Sequence, residues 1–99
     1  MEKTKGTITI IDHSIGAIKK VVVAGYLYRF HDYNFIVHRD DYNNWTMTEL
    51  VTGLRVTEAS TRYGVIAKGQ TILEAHKDKL GDVIQRQTEY LSKFSNYNF

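Results

Sequence analysis

The spacing of apolar and polar residues changes near Gly69. Before it, apolar residues alternate with polar ones or run in short β-branched blocks; after it, they recur at three- and four-residue steps. Alternation distributes side chains over the two faces of a strand, whereas the longer step lines one face of a helix. The pattern predicts a strand over residues 7–11, a turn over 12–16 and a long strand over 18–30 centred on Val21, Val22 and Val23. Gly25 inside that strand predicts a bulge or a close backbone approach.

The next segment, 31–34, has hairpin chemistry, with a returning strand over 35–39. Pairing Phe30 with Phe35 would place Tyr26, Tyr28, Phe30, Phe35 and Val37 on one side of the sheet. A polar turn over 40–44 leads to an alternating strand over 45–51, a turn at Thr52-Gly53 and a strand over 54–57. That register puts Trp45, Met47, Val51, Leu54 and Val56 on a core face. Residues 65–67 read as a last short strand or an extended entry to the helix.

Thr71 followed by Glu74 fits a capping box, and Leu73, His76, Leu80, Ile84, Gln87, Leu91 and Phe94 then mark one helical face. A helix over 72–93 would run on the order of 33 Å at ~1.5 Å per residue. A sheet of short strands is ~20 Å across, so the helix overhangs or breaks at Gly81. An overhang would leave Val83, Ile84, Leu91 and Phe94 for a second copy of the chain, a homodimer through the C-terminal helix. The expected fold is thus α+β: an antiparallel meander of four to five strands covered by one long C-terminal helix. Residues 1–94 form a single domain, and 95–99 a frayed tail.

Composition narrows the work such a domain can do. With 99 residues it has room for one modest core, and the absence of cysteine removes disulfides, thiolate metal sites and cysteine nucleophiles. No apolar run approaches the roughly 18 residues of a membrane span, and the N-terminus lacks a signal core, so a cytoplasmic protein with no membrane partner is expected. The net charge of +2, with acids dispersed among bases, is unlike that of a dedicated nucleic-acid binder.

Candidate chemistry is sparse. Histidines 13, 31, 38 and 76 have no metal-ligand spacing, no GxSxG elbow is present, and the glycines are too scattered for a phosphate loop. His38, Asp40 and Asp41, with Glu49 or Glu58 joining them in space, are the single acid/base cluster an enzyme would need. No catalytic residue, metal or cofactor is therefore assigned. Exposed aromatic and basic residues at hairpin ends, Tyr33, Arg39, Tyr42 and Arg62, are the expected partner-binding set, because Tyr and Arg dominate interface hot spots. A rival set for nucleic acid is Tyr26 and Tyr28 for stacking, with Arg29, Lys68 and Lys77 for phosphates.

Residues 63–84, with Gly69, Thr71, Glu74 and Ala75, resemble the strand-to-helix passage of HicB-type antitoxins, although the proline- and glycine-rich segment before it is absent. The same stretch is similar to the last strand and helix of double-stranded-RNA-binding domains, with Ile72, Leu73 and His76 where that family carries phosphate-binding lysines. Those resemblances imply a sheet-then-helix unit and nucleic-acid contact. In type, the chain also resembles small phage and mobile-element inhibitors such as anti-CRISPR proteins. Together these readings lead to an expectation of a non-catalytic inhibitor that occupies a surface of a protein or ribonucleoprotein partner, with nucleic acid as the rival partner.

Overall fold

The computed structural model describes residues 2–12 and 14–94; the tail expected at 95–99 lies outside the described residues. Five strands, β1 (Lys3–Asp12), β2 (Ala17–Phe30), β3 (Tyr33–Arg39), β4 (Trp45–Glu49) and β5 (Arg55–Ala59), precede two helices, α1 (Arg62–Ala75) and α2 (Leu80–Leu91). The strands form one antiparallel sheet in the order β1-β2-β3-β4-β5, a meander. The α+β meander is as expected. The single long helix is not: it is replaced by two.

Helix α1 begins ten residues before the expected start at 72, because Thr61 caps it: its hydroxyl accepts from the Gly64 N–H at 3.0 Å. Residues 65–67 are therefore helical. Thr71, expected as the cap, lies inside α1 and donates back to the Ala67 carbonyl at 3.0 Å. Val65, Gly69 and Leu73, four apart, form the buried stripe of α1. Burying Val65 and Leu73 contributes about 1.5–3 kcal/mol each. Gly69 permits close approach, since a Cβ there would lie 2.5 Å from Met47 Cε. The helix stops at His76, and the chain turns through Lys79 into α2, so the break precedes Gly81.

One face of the sheet, with α1 against β3, β4 and β5, holds the main core of Phe30, Phe35, Val37, Met47, Val65, Leu73 and Leu80. The β2–β3 register differs from the expected one: Phe30 pairs with Tyr33 and Tyr28 with Phe35, across a two-residue turn at His31-Asp32. A shift of two residues conserves the face of every side chain, so the predicted aromatic row survives it. The β4–β5 turn is wider than predicted: the Glu49 N–H bonds the Leu54 carbonyl, and a register irregularity follows at Met47/Thr48. Val51 consequently leaves the predicted core face and is 70% exposed. Buried Glu49 shapes this turn, accepting from the Val51 and Thr52 N–H groups at 2.7 and 2.9 Å and from the Thr52 hydroxyl at 2.7 Å.

Residues 17–24 of β2 pair only with β1, giving a two-stranded ribbon that extends past β3. The ribbon folds across the face opposite α1. A Cβ on Gly6 would lie 3.0 Å from both Ile36 Cδ1 and Leu50 Cδ2, and one on Gly53 would overlap the Thr9 carbonyl. Gly25 sits where the ribbon leaves β3; a Cβ there would stand 2.2 Å from the Val37 carbonyl oxygen, which is the close approach its position in the strand predicted.

Candidate functional site

At the end of the sheet where the ribbon departs, β2, β3 and β4 bring Tyr26, Arg39 and Trp45 onto the α1-covered face, because Tyr26 pairs with Val37 and Arg39 with Trp45. The Tyr26 and Trp45 rings lie 6.3 Å apart, tilted by 45°. Arg62, the first residue of α1, extends its guanidinium over Tyr26 at 4.3 Å from the ring centroid, and Arg39 lies over Trp45 at 5.1 Å. Lys3, Val23, Ala24 and Gly25 complete a groove of about 410 Å³ with Tyr26, Arg39 and Trp45, and among the described residues no carboxylate lines it.

The electrostatics of this groove are one-sided. Among the described residues the ion pairs are Lys19–Asp12, Arg55–Glu58 and Lys77–Glu74, none of which involves Arg39 or Arg62. Arg39 donates to the amide oxygen of Asn43, a neutral partner. Both guanidinium groups are thus held by ring faces rather than by acids, and their N–H edges remain suited to an incoming carboxylate or phosphate. Tyr63, 79% exposed, lies beside Arg62 at 5.6 Å, and Tyr42, 86% exposed, sits in the 40–44 turn that follows Arg39.

That turn is organised by Asp40. Its carboxylate accepts from the Asn44 N–H at 3.0 Å, the Tyr42 N–H at 2.9 Å and the Thr46 hydroxyl at 3.5 Å. These bonds, Asn44 foremost, together with the charge of Arg55 hold the Asp40 carboxyl below its usual range. His38 is buried on the opposite face, with Nε2 2.9 Å from the Thr48 hydroxyl and Nδ1 3.1 Å from the Arg39 carbonyl. Since a carbonyl only accepts, Nδ1 is the donor to the Arg39 carbonyl, and in that tautomer Nε2 accepts from the Thr48 hydroxyl. Of the expected cluster, His38, Asp40 and Asp41 line one pocket of about 210 Å³ together with Arg39 and Arg55, whereas Glu49 lies on the α1-covered face within its own turn and Glu58 pairs with Arg55. Among the described residues no three His, Asp or Glu side chains form a metal-binding group.

Of the expected partner-binding set, Arg39, Tyr42 and Arg62 converge on this end of the molecule. Tyr33 does not; it lies at the other end of β3, half-buried, its hydroxyl 3.1 Å from where a Cβ on Gly81 would stand. The nucleic-acid set is scattered. Tyr28 packs against the core beside Phe35, and burial, then the charge of Glu74, raises its phenol pKa. Arg29 points to the opposite face and bonds Asn34 at 3.1 Å, Lys68 donates to the Glu58 carbonyl at 2.9 Å, and Lys77 pairs with Glu74. Of this set only Tyr26 belongs to the groove.

The expected self-association face is largely consumed by the chain itself. Leu91 is 1% exposed and Ile84 packs on the main core, which leaves Val83, 36% exposed, and Phe94, in edge contact with Tyr90 at 5.7 Å. Trp45 and Lys3 were missed as site residues. Alternation assigns Trp45 to the α1-covered face, where it packs against the main core as expected, but does not show that it also lines the groove.

Among the described residues no helix is long and apolar enough to cross a membrane. Comparison with protein-family models, curated proteins and solved structures yields no match.

Proposed function

We propose that this protein is a non-catalytic binding protein that occupies an acidic surface of a protein or ribonucleoprotein partner through the groove framed by Arg39 and Arg62. The observation that carries this reading is the placement of two guanidinium groups over Tyr26 and Trp45 beside a groove that no carboxylate lines among the described residues. Arg, Tyr and Trp are the residues in which interface binding energy concentrates. Stacking restrains each arginine before a partner arrives, which lowers the entropy lost on docking. An inhibitor or modulator acting in the cytoplasm, of the kind phages and mobile elements carry, is the role that fits a small domain of this type.

Nucleic acid is the less favoured partner, because Arg62 and Arg39 already occupy faces of the two rings a base would stack on. The test is capture of partners from a host lysate with wild-type protein and with an Arg39→Ala/Arg62→Ala variant whose melting curve shows it folded at the capture temperature. Proteins retained by the former and lost by the latter support the reading; an identical retained set overturns it. Tight oligonucleotide binding that weakens steeply with salt would favour the rival.

A further inference from the structure

We infer that the groove continues along the outer face of the β1–β2 ribbon, and that the occupant of the combined strip is an extended acidic segment of a protein partner. This inference rests on the docking role of the Arg39–Arg62 groove and adds the chemistry and shape of what docks there. The pairing of Lys3 with Tyr26 and of Lys5 with Ala24 puts both lysines on the same face as the groove. On that face neither strand contributes an aspartate or glutamate: β1 presents lysines, threonines and an isoleucine, and β2 presents Lys20 and apolar residues up to Tyr26. Lys3, Lys5, Thr7 and Ala24 are exposed, and Val22 is 67% exposed. The main packing of α1 is on β3, β4 and β5, which leaves this part of the ribbon outside its footprint.

The near-neutral total conceals this segregation. Thirteen basic and eleven acidic residues almost cancel, yet Asp12, at the end of β1, pairs with Lys19, Asp40 belongs to a turn, Glu49 is buried and Glu58 pairs with Arg55. A local positive strip therefore survives on a chain of net charge +2. Its spacing selects the occupant. Lys3 and Lys5 are two residues apart on a strand, about 6.6 Å, which is also the separation of alternate side chains on an extended peptide. A strand-like segment with an acid at every second position can meet Lys3, Lys5 and the arginines in turn. A single-stranded nucleic acid could match the charges, but the guanidinium groups over Tyr26 and Trp45 deny its bases those ring faces.

The experiment is fluorescence anisotropy at low salt with a labelled ten-residue peptide of alternating Glu and Thr. A peptide of the same composition with contiguous glutamates and a single-stranded oligonucleotide of equal charge serve as competing probes. The alternating peptide is expected to bind most tightly, and Lys3→Glu/Lys5→Glu to weaken it at least about tenfold. Lys3→Ala/Lys5→Ala should give a smaller loss in the same direction with an unchanged melting temperature. No binding of the alternating peptide, equal affinity of the lysine variants, or tighter binding of the oligonucleotide would overturn the inference. Loss on Arg39→Ala/Arg62→Ala without loss on the lysine variants retains the groove and removes the ribbon. Lysate capture reports on the groove independently of any of these peptides.

Discussion

Arg62 opens α1 and Tyr26 lies within β2, yet the guanidinium of the first sits 4.3 Å from the ring centroid of the second. The contact ties the start of the helix to a strand outside its main packing surface and fixes one wall of the groove. A double-mutant cycle with Arg62→Ala and Tyr26→Leu should return a coupling of about 0.5–1 kcal/mol in urea unfolding, the range for an exposed cation–π pair. A coupling of zero would mean that the two side chains meet without restraining each other.

The true start of the helix can be tested separately. Thr61→Ala removes the acceptor for the Gly64 N–H and should destabilise the fold by about 1 kcal/mol. For a domain of this size that corresponds to roughly 4–8 °C in melting temperature. Thr71→Ala, which removes only a bond back to Ala67 on an exposed position, should change stability by less than about 0.5 kcal/mol. The reverse ranking would restore Thr71 as the cap.

The misplacement of that cap shows what the sequence can and cannot carry. Alternation and loop chemistry were legible, and the meander and the aromatic face of β2 and β3 followed from them. The β2–β3 register was missed because shifts of two residues keep every side chain on its face, so hydrophobic pattern alone does not separate Phe30–Phe35 from Phe30–Tyr33 pairing. The early helix was missed because Val65-Ile66-Ala67 is too short a run to declare a period, and Gly69 reads as a hinge unless Met47 is known to fill the space beside it. Arg39 and Tyr42 were legible as exposed residues at a hairpin end, whereas Arg62, expected there too, is half-buried and opens α1. Their convergence, and the part played by Trp45, depend on how far α1 reaches over the sheet, which is a tertiary property.

Two glycines that both face close neighbours should respond differently to substitution. In Gly69→Ala the new methyl meets the Met47 thioether, a flexible side chain that can turn aside, at about 1–3 kcal/mol. In Gly25→Ala it meets the Val37 carbonyl oxygen, and backbone cannot yield without opening the β2–β3 ladder. Urea midpoints should therefore fall further for Gly25→Ala than for Gly69→Ala. Equal effects would contradict the tight approach at the base of the ribbon.

Acid should act through the turn beside the groove. The Asp40 carboxyl is held below its usual range by the Asn44 and Tyr42 N–H groups, so it binds protons less readily folded than unfolded. Its stabilisation is present above the unfolded value of 3.8 and is lost as pH falls through the lower folded value. Asp12, lowered by its bonds to Ser14, has the same sign. Asp40→Asn keeps an amide oxygen for the turn but no longer titrates, so its stability should fall less steeply below pH 3.8 than that of the wild type. Parallel acid limbs would show that Asp40 does not contribute.

The central claim concerns Arg39 and Arg62, and one comparison addresses it: the proteins captured by wild-type chain against those captured by Arg39→Ala/Arg62→Ala, with both melting curves recorded. The account predicts that a specific partner is lost while the chain stays folded, with a melting temperature lowered by roughly 4–16 °C, since two cation–π contacts of about 0.5–1 kcal/mol each are removed. Retention of every partner by the doubly substituted chain, with its fold intact, would contradict it.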